Sequence, residues 1–419
     1  MIVMTSKYLE EFEKLNTTTE SIYELGDLEV LIILKDGTNL TSWDDVDWNE
    51  GIFNEYESFP KFNDEIIYVS EDLSKYTDLS RKYEGLHSLR AIVALNVSDK
   101  VTSMEGMFWE CKNLYDISSL KEWDVSGVRD MWKMFSRCSS LEDLSALKDW
   151  DVSSVTNMQA MFWGCESLVD LSPISGWNVS NVENMVALFE NCHGLMDVSC
   201  LNDWDVSNVK VMANLFCDCR SLRILSGLSS WNVSNVVDMA FMFCDCSFLS
   251  DIIPLLMWDV SGVRNMGNMF MDCSSLVDLS PISGWDVSGV WNMGSMFRGC
   301  SSLVDLSPIS GWDVSRVRSM SHMFHDCNSL EVLSGLEFWD VSNITTMDYL
   351  FFNCNCLSDI SSLSVWNVSN VLVTIYMFGE CSSLFDVSCL NNWDVSNVQN
   401  MSGMFDGCSS LDKKPNFLK

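Results

Sequence analysis

Apolar residues recur in fixed columns along most of this chain, and the period of the recurrence is 27 residues. Tryptophans from Trp123 to Trp393 and cysteines from Cys111 to Cys408 keep that spacing without interruption. Met-Phe or Leu-Phe pairs, leucines and valines stand at matching offsets, and Gly, Ser, Asn and Asp fill the positions between them. Those polar types favour turns over long helices. The pattern therefore predicts a solenoid in which each unit makes one circuit and equal columns stack.

One unit, Met161 to Met185, reads MFWGCESLVDLSPISGWNVSNVENM. Its Leu-x-x-Leu and Val-x-x-Met segments are expected to form short strands that pair in parallel from coil to coil, with turns between them. The predicted fold class is a leucine-rich-repeat-like solenoid with short parallel β-strands in each 27-residue coil, preceded by a small α/β cap domain.

The repeated motif W-D-V-S-N-V-x-x-M-x-x-M-F-x-x-C-x-S-L resembles the BspA-like leucine-rich repeats, in the variety catalogued as a domain of unknown function in mycoplasmas. The resemblance covers roughly residues 96–412. It implies a curved solenoid that binds other macromolecules, and it does not imply an enzyme. Family members look like surface or interaction proteins. This chain departs from the surface members because it shows no signal peptide, lipid-attachment cysteine or cell-wall anchor.

The predicted domain boundaries follow the limits of the repeat. Residues 1–78 carry no repeat and are expected to form a mixed α/β cap domain, with a helix over Lys7 to Leu15 and a buried strand over Glu29 to Leu34. Residues 79–103 contain a degenerate unit, interpreted as a transition coil. The solenoid is predicted over 104–412, and the tail 413–419 is expected to cover the last coil.

Charge narrows the choice of partner. The 419 residues include 25 Lys and Arg against 59 Asp and Glu, which gives a net charge of -34. Such a polyanion repels nucleic acid phosphates and anionic lipids, so neither is expected as a partner. No apolar run is long enough to cross a membrane. The acidic N-terminal stretch does not resemble a signal peptide, so the sequence favours a cytoplasmic location, although family members are often surface-exposed.

The cysteine column has three possible meanings: disulfides, metal ligands, or small buried residues. Stacked side chains point the same way, whereas a disulfide needs two that converge. No C-x-x-C pair exists, which disfavours zinc. The column is therefore predicted to be reduced and buried beneath the phenylalanines. Cys217, Cys244 and Cys356 stand outside it, near column positions.

An Asp or Asn follows every tryptophan of the repeat. One interpretation is an Asx turn, in which the side chain accepts a backbone N–H near the following serine. The other is a ladder of Ca²⁺ sites, since oxygen-rich columns can recruit calcium. Asn at three of the positions, including Asn178, favours the turn, and no cofactor is expected. A row of exposed tryptophans could bind glycans, but residues in register with apolar columns are expected to wall off the core.

No catalytic motif emerges. The chain has four histidines, and two of them, His322 and His325, form a lone H-x-x-H with no third ligand nearby in sequence. They are interpreted as surface residues. Nucleophile-elbow, phosphate-loop, dinucleotide and kinase motifs are absent. The protein is therefore predicted not to be an enzyme.

Binding residues are expected in columns that vary, because a structural column must repeat. The column after Phe, here called the variable column, carries large apolar residues where a turn needs none. Its candidates are Trp109, Trp163, Met271 and Phe352.

A second candidate column follows the second valine of each unit. It holds Arg129, Lys210, Arg264, Trp291 and Arg318. These scarce cations form either a stripe for an acidic partner or a means of neutralising neighbouring acidic columns. The sequence favours neutralisation, because opposite charges on adjacent strands stabilise.

The function predicted is a non-enzymatic protein-binding or scaffold solenoid, with a protein as its partner. The alternative is an extracellular or surface adhesin that depends on calcium or binds glycans. A rise in melting temperature with millimolar Ca²⁺, abolished by chelator, would favour the adhesin. The sequence leaves the partner and the oligomeric state open.

Overall fold

The computed structural model describes residues 68–418. The helix expected over Lys7 to Leu15 and the strand expected over Glu29 to Leu34 lie outside the described residues. The chain divides into two compact units, of which the first ends at Val182 and the second begins at Glu183. Each unit is a stack of 27-residue coils of the leucine-rich-repeat type.

The first unit, residues 68–182, opens with two strands. Strand β1 (Tyr68–Leu73) pairs in parallel with β2 (Ala91–Val97). The coils that follow each contain one short 3-10 helix. These helices are Ser118–Glu122, Ser145–Leu147 and Ser172–Ile174.

The second unit, residues 183–418, repeats the same element in every coil but its last. Its 3-10 helices are Ser199–Asp203, Ser226–Leu228, Ile253–Leu255, Ser280–Ile282, Ser307–Ile309, Leu336–Phe338, Ser361–Val365 and Ser388–Asn392.

A local hydrogen bond starts most of the short helices. In the coil with Ser172–Ile174, the Ser172 N–H donates to Oδ1 of Asp170 at 2.8 Å. Pro173 follows, and its fixed φ suits the first turn of a helix. Ile174 turns inward and is fully buried, and its carbonyl accepts the Trp177 N–H at 3.1 Å. The sequence S-P-I-x-x-W therefore forms a single turn that ends at the tryptophan.

Two consecutive β-turns form the opposite arc of each coil. In one coil, Met134 N–H bonds the Met131 carbonyl and Cys138 N–H bonds the Phe135 carbonyl, both at 3.1 Å. The third residue of each turn is left-handed, with φ of 55° at Lys133 and 58° at Arg137. This geometry is that of a type II turn, which usually places glycine at the third position.

The parallel strands expected between coils are reduced to single bridges. The bridge sits on the residue before the second Met of the unit, as in Ser103–Asp130 and Asp130–Asn157. The side chain there also closes a turn, because Trp132 N–H donates to Asp130 Oδ1 at 2.9 Å. Backbone that turns this often cannot continue as a strand. The Leu-x-x-Leu segments likewise form turns and 3-10 helices.

The core consists of stacked identical side chains. Phe108, Phe135 and Phe162 are fully buried, with neighbouring ring centroids 5.4 and 5.7 Å apart. The eleven tryptophans spaced 27 residues apart, from Trp123 to Trp393, are only 3–6 % exposed. Most of them donate the indole N–H to a carbonyl 30 residues earlier, as Trp150 does to Leu120 at 2.9 Å. The prediction that the tryptophans wall off the core is confirmed.

Candidate partner-binding surface

The cysteine column lies beneath the phenylalanines, as predicted. All 17 cysteines are free thiols, and those of the column are buried. Most thiols of the column donate to the carbonyl of a phenylalanine in the preceding coil, as Cys165 does to Phe135 at 3.2 Å, and Cys111 donates to the carbonyl of Tyr83 at 3.1 Å. Burial raises the pKa of these thiols, including that of Cys138. They are therefore structural residues and poor nucleophiles.

The Asp and Asn residues after the tryptophans form the predicted Asx turns. In all eleven, the backbone N–H of the serine two residues on donates to Oδ1 at 3.0–3.2 Å. Hydrogen bonds from the serine hydroxyl and then its N–H hold the pKa of Asp124 and Asp340 below the usual range. Within residues 68–418, no group of three or more His, Cys, Asp or Glu side chains is placed to hold a metal ion.

In the first unit, tryptophans and cations interleave on the outer face of the paired turns. The Lys133 ammonium lies 4.1 Å from the ring centroid of Trp109, 4.7 Å from that of Trp132 and 5.8 Å from that of Trp163. All three tryptophans are half-buried. Burial, and then the nearby charges of Arg81 and Arg137, lower the pKa of Lys133.

Two arginines extend this cluster. The Arg137 guanidinium lies 4.7 Å from the Trp163 ring, and its Nη1 contacts Glu110 Oε1 at 2.9 Å. Arg81 similarly bonds Glu105, at 3.1 Å. We refer to Arg81, Trp109, Trp132, Lys133, Arg137 and Trp163 as the Trp patch. Indole and guanidinium groups held at cation–π distance combine a large contact area with charge.

In the second unit, the same turn positions carry histidines, tyrosines and a phenylalanine. We refer to His322, His325, Tyr349, Phe352 and Tyr376 as the His-Tyr patch. The His322 and Tyr349 rings stack at 4.7 Å, and the Phe352 ring packs against His325 at 4.9 Å. These side chains are half-buried, so the lone H-x-x-H is a packed aromatic pair.

Both histidines of that patch are held in their neutral form. Burial, opposed by Asp348, lowers the pKa of His322, and burial lowers the pKa of His325 to about 4. The two Nδ1 atoms are 2.9 Å apart, which places one proton between the rings. The patch therefore presents uncharged aromatic surface at neutral pH.

The variable column is not exposed along its whole length. Met271 and Phe352 are half-buried, whereas Ser136 and Cys244 are buried. Phe352 lies over the backbone of Gly379, where a Cβ atom would come within 2.9 Å of the ring. The aromatic candidates of this column thus pack against neighbouring coils and are also partly exposed at the outer surface.

The column after the second valine divides into two kinds of position. Lys210 pairs with Glu183 of the preceding coil in the same column, which is the neutralising arrangement. Arg129, Arg264 and Arg318 are exposed, and none forms an ion pair with a described residue. Trp291 is 52 % exposed.

The profile of one family matches most of the chain. Its description is "Mycoplasma protein of unknown function, DUF285", and it matches residues 77–198, 169–276, 195–303, 250–334 and 328–417. The chain belongs to the DUF285 family. A search of curated proteins finds no match.

Solved structures with a similar backbone are bacterial leucine-rich repeat proteins. One, from Bacteroides ovatus, is 16% identical, covers 77% of this chain and 82% of that one, and has a TM-score of 0.29. A leucine rich cell surface protein from Faecalibacterium prausnitzii is 16% identical over 72% and 86% of the two chains, with a TM-score of 0.35. A third, from Eubacterium ventriosum, is 14% identical over 84% and 91%, with a TM-score of 0.26.

Several surface residues of this DUF285 protein were not predicted from the sequence. Trp132 joins the Trp patch from a column that holds Glu105 and Gln159 in the neighbouring coils, so its departure from the column could have revealed it. Apolar residues also recur, exposed, four positions after the cysteine. They include Tyr115, Val169, Met196, Val277, Val304 and Phe385. No helix within residues 68–418 has the length and apolarity to cross a bilayer.

Proposed function

We propose that this DUF285 protein is a non-enzymatic scaffold that binds a protein partner through the Trp patch. One observation carries the proposal. The columns that build the core are buried and nearly invariant, whereas adjacent positions on the same turns hold half-exposed tryptophans among cations. The fold needs no tryptophan at these positions, because other coils place serine or glutamate there.

The composition of the patch supports a protein as the ligand. Tryptophan and arginine are the residue types most enriched among those that dominate binding energy at protein interfaces. Trp109 and Trp132 each have a buried indole N–H without a hydrogen-bond partner among the described residues. Because these donors are enclosed, the rings must reorient before a partner's carbonyl or carboxylate can accept from them and relieve their desolvation cost.

Pull-down and titration with matched variants test this function. Trp109→Ala and Trp163→Ala remove patch surface, while Phe338→Ala removes an aromatic side chain that is 72% exposed in the second unit and lies outside the variable column. Proteins captured by wild type and by Phe338→Ala, but lost with both patch variants, would identify the partner. The patch variants should then weaken its binding at least about tenfold, as expected for hot-spot residues. Equal capture by all four proteins would refute the role of the patch.

We also propose that this binding needs no metal ion. The oxygens after the tryptophans already accept serine N–H groups, which satisfies part of their coordinating capacity. Asn178, Asn232 and Asn367 interrupt the column with neutral side chains, which suit calcium poorly. The melting temperature should not change when millimolar Ca²⁺ is added or removed by chelator. A Ca²⁺-dependent rise would instead revive the adhesin hypothesis.

A further inference from the structure

A groove of about 910 Å³ crosses five successive coils of the second unit. Three arginines and one tryptophan dominate its lining. Its lining includes Arg264, Gly289, Trp291, Arg316, Arg318 and Asn343. We refer to them as the arginine groove. Three cations in one groove are unusual in a chain whose net charge is -34.

The guanidinium groups of the groove are not neutralised by the protein. Arg264, Arg316 and Arg318 are exposed, and no carboxylate of residues 68–418 lies within ion-pair distance of them. Lys210 in the same column does have such a partner, Glu183. Internal neutralisation therefore does not explain these three arginines.

The groove lies where a structural column of the repeat is interrupted. Asn343 represents the usual pattern: its Nδ2 donates to the carbonyl of Ser315 in the preceding coil at 2.8 Å. The two coils before it carry Gly289 and Arg316 at the equivalent position. Arg316 makes no comparable hydrogen bond with a described residue. Arg316 is thus an unpaired cation at a position where other coils carry a stabilising asparagine.

Arg264 occupies the space that the missing side chain at Gly289 leaves. Its Nη1 donates to the carbonyls of Ser261 and Val263, both at 3.1 Å. The Ser261 carbonyl is the one that an asparagine at position 289 would bond if it followed the pattern of Asn343. Two donors of the guanidinium hold this carbonyl pair, and the other three remain available to a ligand.

We propose that the arginine groove binds an extended acidic segment of a partner protein, with carboxylates on the arginines and an apolar side chain against Trp291. Hydrogen bonds join Trp291 N–H to the Arg264 carbonyl and Arg318 N–H to the Trp291 carbonyl, at 3.0 and 3.2 Å. Coils bonded in this way lie about 4.8 Å apart, so Arg264 and Arg318 are separated by roughly 10 Å. An extended peptide covers that distance in about three residues.

Charge complementarity selects a short segment over a long polyanion. Guanidinium groups bind carboxylates through paired, charge-assisted hydrogen bonds. The rest of this acidic surface would repel nucleic acid that extended beyond the groove. The proposal rests on the proposed function, because it names the chemistry of a protein partner at a second surface.

Fluorescence anisotropy with a synthetic peptide tests the groove on the full chain. The probe is a short fluorescein-labelled peptide in which pairs of glutamates flank a central leucine. The variants are Arg316→Gln and Arg318→Gln, and the matched control is Arg129→Gln, an exposed arginine of the same column in the first unit. Each groove variant should weaken binding at least about tenfold, while the control binds like wild type. Added NaCl should weaken binding by wild type.

Several results would overturn the proposal. These are no binding by wild type at millimolar peptide, equal affinity for a peptide with glutamines in place of glutamates, or an equal loss with Arg129→Gln. Tighter binding of a phosphoserine peptide or of single-stranded DNA would assign the groove to another class of ligand. Melting temperatures equal to wild type would show that the groove variants fold.

The same probe separates this inference from the proposed function. Trp109→Ala and Trp163→Ala should bind the acidic peptide like wild type, since the Trp patch lies in the other unit. If the peptide fails to bind while these variants still lose the captured partner, the groove proposal fails and the scaffold function stands.

Discussion

The Trp patch and the His-Tyr patch occupy equivalent turn positions in different units, yet their chemistry differs. Lys133 in the first and His322, Tyr349 and Tyr376 in the second share one column and the same left-handed backbone, with φ between 49° and 59°. The first patch is cationic and the second is neutral. The fold thus fixes the backbone and allows the outward side chains to vary, so two surfaces of different chemistry arise from one repeat.

The sharpest test of this separation uses two adjacent phenylalanines. Phe351 is fully buried, and its ring centroid lies 5.6 Å from those of both Phe324 and Phe378. Phe352 is half-buried on the outer face. Phe351→Ala should lower the free energy of unfolding by about 3–5 kcal/mol, and Phe352→Ala by only about 1 kcal/mol. Urea titrations of the two variants measure both values.

Equal losses in that pair would contradict the division into core and outer surface. Because coils contact only their neighbours, part of the loss in Phe351→Ala should appear as local opening. Hydrogen exchange of the coils on either side would detect it.

The neutral state of the His-Tyr patch predicts a pH effect. The folded pKa of His325 is about 4, because the ring is buried, whereas the unfolded value is near 6.5. Between these values the unfolded chain binds more protons, so this histidine reduces stability as pH falls from about 6.5 to 4. His325→Phe lacks this titration, so its free energy of unfolding should fall by about 1–2 kcal/mol less than that of wild type over this pH range. This difference is smaller than the full pKa shift would give, because solvent still reaches part of the ring.

The measurement is the difference in unfolding free energy between wild type and His325→Phe, from pH 7.5 to 4.5. Asp326, His322 and Arg298 face the ring in wild type, and all three are retained in His325→Phe. A difference that stays constant with pH would show that the neutral form is not enforced by the fold.

Serine substitutions can test whether the left-handed turn position shared by Lys133 and His322 is strained. Ser295 has φ of 56°, whereas Ser310 has φ of -58°, and neither hydroxyl bonds another described residue. Ser295→Gly should raise the free energy of unfolding by about 0.5–1 kcal/mol, because glycine adopts positive φ without strain. Ser310→Gly should lower it by a similar amount, about 0.5–1 kcal/mol, because glycine adds freedom to the unfolded chain.

Thermal unfolding of these two variants provides the comparison. Changes of the same sign would mean that the turn geometry shared by the patches is not a source of strain.

The smallest expected effect concerns Glu190, in the variable column of the second unit. Burial, and then the charge of Asp218, raise its pKa to about 7. The folded state therefore binds the extra proton between about pH 4.5 and 7, and stability declines as pH rises through that interval. Glu190→Gln should be more stable than wild type above pH 7, by less than about 1 kcal/mol because the carboxyl is partly solvated.

Melting temperatures at pH 5 and pH 8 check this sign. An advantage for Glu190→Gln that is larger at pH 5 would contradict the raised pKa. Together with His325, Glu190 would show that one column can carry titrations of opposite direction.

The sequence was sufficient to predict the repeat, the stacked core and the Asx turns, because those features depend on residues that recur at fixed offsets. The positions of Trp177, Cys165 and Asn178 have the same surroundings in every coil. The reduction of strands to single bridges was not predicted, because glycine fills the left-handed positions in only some coils, while Lys, His, Tyr and other residues fill them in the rest. Residue type therefore did not identify these particular turns.

The outward surface was harder to predict, for a related reason. Arg129 and Arg264 look equivalent in sequence, and only the spatial relation of Arg264 to Gly289 distinguishes the groove. Trp132 was missed because its column carries no other aromatic residue in the coils beside it. A surface cluster combines residues from several columns. Which residues join it depends on where their side chains point.

The indole hydrogen bond from one coil to a carbonyl 30 residues earlier has a consequence for how such genes change. A single inserted residue would move the donor away from its acceptor and carry every later column out of register. Whole units can be duplicated or deleted without that penalty, since each brings its own donor and acceptor. Growth of the gene by complete repeats therefore adds one residue to each outward column at a time, together with the part of the core that supports it.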